Sequence, residues 1–593
     1  MRQAQQLSEA LAGVAWRLAA SLLILSGCGG SAPRIDRDRP YVDLVDEIPE
    51  QIVSTGVASS EPRFDTERGT IWLPVSTQID YLIKLAPDSA FEATDIVIRG
   101  GETRLEVDLE ADGMGVANLA FVNESQPNLS IPISLNGDPP VRLVLRARST
   151  DSADDGGVLI RNPGVWASTE AVISNSEKGS DLTASTQEAG STQPSVLIYL
   201  IDTLRSDRLG CYGYDRNISP NIDRFASGAT LFEHVTSQSS WTKASVGSMF
   251  TGMWPPAHGA IGWKHKLPTQ LETLAEVLSR AGFQTGGFSA NPNVVPAYDM
   301  DQGFDEFHRL LRRTSAQLNE IALEWLDRQD PDRPFLLYIH TIDPHAPYQP
   351  PEPFRSQWAP NADQMPSWQP SWKWPMEAMP FLSNLYDGEI AFSDHSFGQL
   401  LAELRARDRF DNSFVVLISD HGEEFKEHGR WRHGGNLYAE SLEVPMIVKS
   451  PGQVKGQRVT VPAQHIDLMP TLLEQMNLPI PVTVEGQSLA RPEPKRIYSH
   501  LKLGKSPLFY SVIDGDWKMI RMQTAEATTR SLFNRRTDPG ETEDLWNQNP
   551  IRGAWMERLI DKKIAASAEP PPASDATVDP ELEEALGALG YLE

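Results

Sequence analysis

The chain has 593 residues, 40% of them hydrophobic, with 80 acidic against 53 basic side chains and a net charge of −27. That length exceeds one compact domain, since folding units run to about 100–200 residues. A surface this acidic repels phosphate backbones and anionic membranes, which argues against nucleic acid as a partner. Any anionic substrate has to be captured by local charge, most economically by a metal ion.

The first residues read as a targeting segment. Arg2 and Arg17 precede LAASLLILSGC (18–28), whose apolar run of about ten residues is half of the ~20 that a spanning helix needs. Small residues just before Cys28 resemble a bacterial lipoprotein signal. On that reading residues 1–28 are a signal peptide, Cys28 carries the lipid, and the protein is tethered in the bacterial cell envelope, facing periplasm or exterior. An ordinary signal peptide with an incidental cysteine is the alternative. Cys211 is the only other cysteine, so the mature chain is expected to have no internal disulfide.

Residues 29–48 are polar and proline-containing, and read as a stalk. Between 49 and 170 short alternating runs (TRLEVDLEA, VRLVLRAR) are punctuated by Gly, Asn, Asp and Pro at hairpin spacing, which predicts a β-sandwich. Residues 171–194 are rich in Ser, Thr and Gly and read as a linker. From 195 to 494 the grammar changes to strands alternating with helices. SVLIYLID, FQTGGFSA, PFLLYIHTID and SFVVLISD read as strands; SPNIDRFASG, LETLAEVLSRAG, SAQLNEIALEWLDRQ and SDHSFGQLLAELRAR read as helices. The expected fold is α/β, a mostly parallel sheet sandwiched by helices, with ligands gathering beyond the carboxyl ends of the strands. Residues 495–593 predict a small antiparallel subdomain with a turn at 538–540 and a closing helix in ELEEALGALGYLE.

Asp202, His345 and the pair Asp420-His421 all fall just past the ends of predicted strands. Adjacent Asp and His can reach one point where Gly422 lets the chain turn, and an oxygen with a nitrogen suits a divalent cation. Thr242 precedes the small-residue run KASVGS. It reads as a helix cap, or as a hydroxyl placed among free N–H groups that stabilise an anion. Lys243 either adds positive charge there or points to solvent. Asn291, at a strand end, is a candidate substrate contact, whereas His258, His265, His340 and His428 read as structural. Trp358, Trp368, Trp372 and Trp374 lie among prolines in 350–380, a loop that either packs on the domain or stacks a sugar or lipid head group.

Residues 195–500 resemble the sulfatase branch of the alkaline phosphatase superfamily in IDTLRSDRLGCYGY, SMFTGMWPPAHGA, HTIDPHAPY, SDHGEEFKEHG, HGGNLYAESLEVPMIV and HIDLMPTLLE. The tail pieces DPGETEDL and LGALGYLE resemble its C-terminal end. The resemblance implies one divalent metal ion (calcium, manganese or zinc) on Asp202, Thr242, Asp420 and His421. It implies Thr242 as nucleophile, His345 against the anionic group or leaving oxygen, and His433 facing substrate. The chain departs from that family where it matters most. Thr242 replaces the Cys or Ser that sulfatases convert to formylglycine, Ala244 and Val246 replace the accompanying proline and arginine, and Thr203 replaces a second aspartate. No formylglycine is expected. T-x-x-S-V-x-S-M-F instead resembles the phosphoethanolamine transferases, which use threonine directly. A threonine ester must be resolved by water or an alcohol attacking its central atom, which suits phosphate mono- or diester hydrolysis or phosphoryl transfer. A sulfuric ester hydrolase and a degenerate protein that binds anionic glycans without turnover are the alternatives.

Overall fold

The computed structural model describes residues 193–365, 374–572 and 574–589, together with strands and short connections between 42 and 166. The signal peptide with Cys28, nearly all of the linker, and Trp368 and Trp372 lie outside the described residues. The chain divides into two units, 1–177 and 178–593.

In the first unit every described strand pairing is antiparallel, in sheets of four, five and four strands. Alternate side chains such as Leu105, Val107 and Leu109 enter one core with Ile79, Tyr81 and Phe91. Strand pairing begins at Val42–Asp43, inside the segment expected to be a stalk.

The second unit is built on an eight-stranded sheet. Its spatial order is Glu306–Arg309, Gln284–Ser289, Phe335–Thr341, Ser195–Ile201, Ser413–Ile418, Met446–Lys449, Thr230–Phe232 and Gln457–Val459. The first five run parallel; Met446–Lys449 is antiparallel to both neighbours. Ser195–Ile201 is buried throughout because both faces are covered. Val196, Ile198 and Leu200 join one core, while Leu197, Tyr199 and Ile201 join the other. Helix Thr242–Thr251 packs into the first core; helices Ser315–Arg328 and Met379–Ala406 pack into the second. The last is 28 residues long and begins well before the predicted start, taking in YDGEIAFSD. Four strands from Ile497 to Asn534 form an antiparallel meander. Helix Pro550–Ala566, which the sequence reading did not single out, packs Met556, Leu559 and Ile560 on it. The closing helix is present as Pro580–Ala588.

His258 anchors the Thr242–Thr251 helix. Its Nδ1 accepts from the Ala260 N–H at 3.2 Å, and its Nε2 donates to the Ala244 carbonyl at 3.1 Å. A Cβ on Gly247 would lie 2.8 Å from the His258 ring, so glycine allows the approach. Burial lowers the His258 pKa to about 3. The unfolded chain therefore takes up this proton first as pH falls below about 6.5, and the associated stability, complete above that pH, is lost toward pH 3. His258→Gln keeps both hydrogen bonds without the ionisation. It should flatten the slope of unfolding free energy between pH 6 and 4 by about 1.4 kcal/mol per pH unit, read from denaturant melts.

Candidate active site

The site lies where four neighbouring parallel strands end. Asp202 directly follows Ser195–Ile201, Asn291 follows Gln284–Ser289, His345 follows Phe335–Thr341, and Asp420-His421 follow Ser413–Ile418. Asp202, Asp420 and His421 are wholly buried, and one ligand atom from each lies within 4.8 Å of the others.

Backbone contacts fix each group. Asp420 Oδ1 accepts from the Thr203 N–H at 3.1 Å and from the His421 N–H at 2.9 Å. Thr203 takes a left-handed φ of 57°, and its carbonyl accepts from the Tyr386 hydroxyl at 2.6 Å. His421 Nδ1 donates to the Gly422 carbonyl at 3.0 Å, which leaves Nε2 carrying the lone pair. Gly422 is needed for space rather than for a left-handed turn, because a Cβ there would meet the Glu440 carbonyl at 2.1 Å.

Thr242 is the first residue of its helix, and its hydroxyl is not a cap. The cap position is Trp241, and Thr242 Oγ1 lies 3.1 Å from His421 Nε2. Ser245, one turn on, donates to the Asp420 carbonyl at 2.6 Å and pairs with His465 Nδ1 at 2.8 Å, tying helix to strand end.

The buried atoms Asp202 Oδ1, Asp420 Oδ2 and Thr203 Oγ1 have no hydrogen-bond partner. Burial and then the neighbouring Asp420 hold the Asp202 pKa well above the usual carboxylate range. Two orphaned carboxylate oxygens beside an imidazole lone pair and two hydroxyls are a donor set that fits a divalent cation.

His433 lies between the other histidines, its ring 4.3 Å from that of His421 and 4.9 Å from that of His345. Its Nδ1 pairs with Glu423 Oε1 at 2.8 Å, and Glu423 also accepts from the Tyr348 hydroxyl at 3.0 Å. His345 Nδ1 donates to the Ala346 carbonyl at 2.6 Å. Burial, then His433 and Arg432, hold the His345 pKa well below its ordinary value.

Two expected substrate contacts are placed otherwise. Lys243 is buried, with Nζ on the carbonyls of Gly262 (3.2 Å) and Trp263 (2.8 Å) and 3.1 Å from the Tyr298 ring centre. Its donors are thus used internally. Asn291 donates to Asp202 and accepts from the Asn293 N–H at 2.7 Å, so it orients a carboxylate. His340, read as structural, approaches Asp202 Oδ2 at 3.3 Å. Glu423 was missed, although it stands in the SDHGEE motif itself.

Residues 194–478 match the sulfatase family model, and residues 426–566 match the C-terminal model of N-sulphoglucosamine sulphohydrolase. This chain carries a sulfatase-family domain. An arylsulfatase of Clostridium perfringens is 24% identical over 464 residues, spanning 64% of this chain and 95% of the relative. The structure of a phosphonate monoester hydrolase of Agrobacterium radiobacter superposes with a TM-score of 0.54 at 18% identity, over 63% of this chain and 96% of that one. A structure described as in complex with its substrate D-glucosamine-2-N,6-O-disulfate gives 0.53 at 16% identity, over 63% and 98%. At those identities the two structures bear on fold alone. Residues 194–478 thus form a sulfatase-family domain with the fold shared by these hydrolases.

Replacing Asp202 by Asn removes one of two repelling buried carboxylates. The metal-free Asp202→Asn sulfatase-family domain should melt no lower than wild type, and the rise in Tm that manganese or zinc gives wild type should vanish. Calorimetry with and without chelator measures both.

Proposed function

We propose that this protein is a metal-dependent ester hydrolase or phosphoryl transferase in which the unmodified hydroxyl of Thr242 is the nucleophile, acting on phosphate mono- or diesters. One observation carries the reading: Thr242 Oγ1 is buried at a helix start, 3.1 Å from Nε2 of His421, a member of the Asp202–Asp420–His421 cluster. Ala244 and Val246 follow it where formylglycine maturation would require proline and arginine.

Asp202, Asp420, His421 and Thr242 would hold the cation, with the Thr203 hydroxyl beside them. When bound, it supplies charge that lowers the pKa of the threonine hydroxyl and offsets the charge of the ester oxygens. Thr242 Oγ1, its proton released to solvent, attacks phosphorus in line as the bond to the leaving oxygen breaks. The leaving oxygen takes a proton from His345, which gains that proton as the anionic ester arrives. Water or an acceptor alcohol, giving its proton to the now neutral His345, then displaces Thr242 from phosphorus. Glu423 holds His433 beside both His345 and His421, where it contacts the transferring group.

A second reading, sulfuric ester hydrolysis, is favoured by the family match and by the arylsulfatase relative. Purified protein assayed on matched aryl phosphate, bis-aryl phosphate and aryl sulfate, with and without chelator, separates the two. Phosphorus esters should be preferred, and Thr242→Ala should lower kcat on the order of 10³-fold or more. Sulfate turnover persisting in that variant would sink the threonine mechanism. His345→Ala should cost roughly 10²-fold or more on an ester with a poor leaving group and much less on a nitrophenyl ester, whose oxygen leaves without a proton.

The proposal includes tethering through Cys28 in the bacterial envelope. Among the described residues no helix is long and apolar enough to cross a membrane. Metabolic labelling with palmitate should mark wild type, and Cys28→Ala should lose both the label and the membrane fraction.

A further inference from the structure

A cavity of about 290 Å³ is lined by Ala346, the residue after His345, with Trp374, Trp431, Tyr348 and Arg432 and with Gly587 and Ala588 of the closing helix. Its connection to the reacting centre is covalent and hydrogen-bonded. Ala346 follows His345, and its carbonyl accepts both His345 Nδ1 and, at 3.5 Å, Arg432 Nη2. Tyr348 in the wall bonds Glu423, which holds His433.

The lining chemistry is selective. Met365, Leu382 and Leu385 add aliphatic wall to the three aromatic rings. The charge of Arg355 is taken by Asp363 at 2.8 Å. Arg432 differs: its Nη2 serves the carbonyls of Ala346 and Leu589, its buried Nε has no hydrogen-bond partner, and no carboxylate of the described residues ion-pairs with it. It also holds a left-handed φ of 72°, a conformation that side-chain-bearing residues keep where the surroundings demand it. A sugar ring needs a hydrogen-bond partner for nearly every hydroxyl, whereas three aromatic rings, two leucines and a methionine make up the larger share of this wall. A flat apolar ring needs none.

We propose that this cavity receives the leaving arm of the ester, an aryl or similarly flat apolar group that carries an acceptor or anion for Arg432. The volume, at the low end for ligand pockets, admits one ring system. The inference rests on the site assignment above and names the substrate class for it.

The test is calorimetric binding to manganese-loaded full-length protein of methylphosphonate, 2-naphthylmethylphosphonate, its 6-carboxy derivative and a glucose phosphonate, none of which is hydrolysed, and of 2-naphthol alone. The naphthyl phosphonate should bind at least about tenfold tighter than methylphosphonate. Ala588→Trp, which fills the cavity, should erase that difference and the binding of 2-naphthol while leaving methylphosphonate unchanged. Arg432→Gln should remove only the extra affinity of the 6-carboxy compound, a readout that stands if the tryptophan variant does not fold. Equal affinity for methyl and naphthyl phosphonates, or tighter binding of the glucose compound, would overturn the assignment. Binding of 2-naphthol and its loss in Ala588→Trp, with no turnover of any phosphorus ester, would leave the cavity assignment standing and remove the catalytic one.

Discussion

Everything at this site depends on two carboxylates, Asp202 and Asp420, being buried side by side at the ends of adjacent parallel strands. Such a pair is costly to desolvate and repels itself, and in the described residues no lysine or arginine reaches either. Asn291, His340, Thr203 and the His421 backbone relieve part of that charge by hydrogen bonding. One oxygen on each carboxylate remains unanswered. The fold keeps the pair by making the strands beneath rigid. Each central strand is buried on both faces, and the side chains that secure it alternate between two separate cores.

Thr242 is held to the same standard by different means. A threonine hydroxyl at the first position of a helix would ordinarily be free to rotate toward solvent or cap a backbone group. Here the helix is pinned at Ser245 to the Asp420 carbonyl and at Ala244 to His258. The small residues after Thr242 are what allow both contacts. Alanine, serine and glycine at 244, 245 and 247 let strand end and imidazole approach the helix closely, and a bulkier residue at 247 would displace the histidine.

Most of this was legible in the chain, for reasons that differ by residue. Asp202 and Asp420-His421 stood out because hydrophobic runs ended on them, and a parallel sheet gathers such ends on one edge. Helix Ser315–Arg328 was plain from its period and strand Phe335–Thr341 from its apolar run, whereas the short strand Glu306–Arg309 between Ser289 and the helix was not read. For Asn291 and Lys243 sequence gives a place on an element but not the direction of the side chain: one turns to a carboxylate, the other to two carbonyls and a tyrosine ring. The long helix Met379–Ala406 was read only from SDHSFGQLLAELRAR onward, because the acidic residues of YDGEIAFSD interrupt its apolar period; buried Asp387 is answered by Arg208 and Arg216. Helix Pro550–Ala566 had a readable signal in Met556, Leu559 and Ile560, three positions on one helical stripe.

The carbonyl of Ala346 serves two masters. The imidazole of His345 and the guanidinium of Arg432 lean on the same oxygen, so the proposed acid and the proposed contact for the departing fragment are mechanically yoked. On that proposal, reshaping the outer chamber for a new compound would retune the acid as well, and shifts in selectivity and in turnover should travel together.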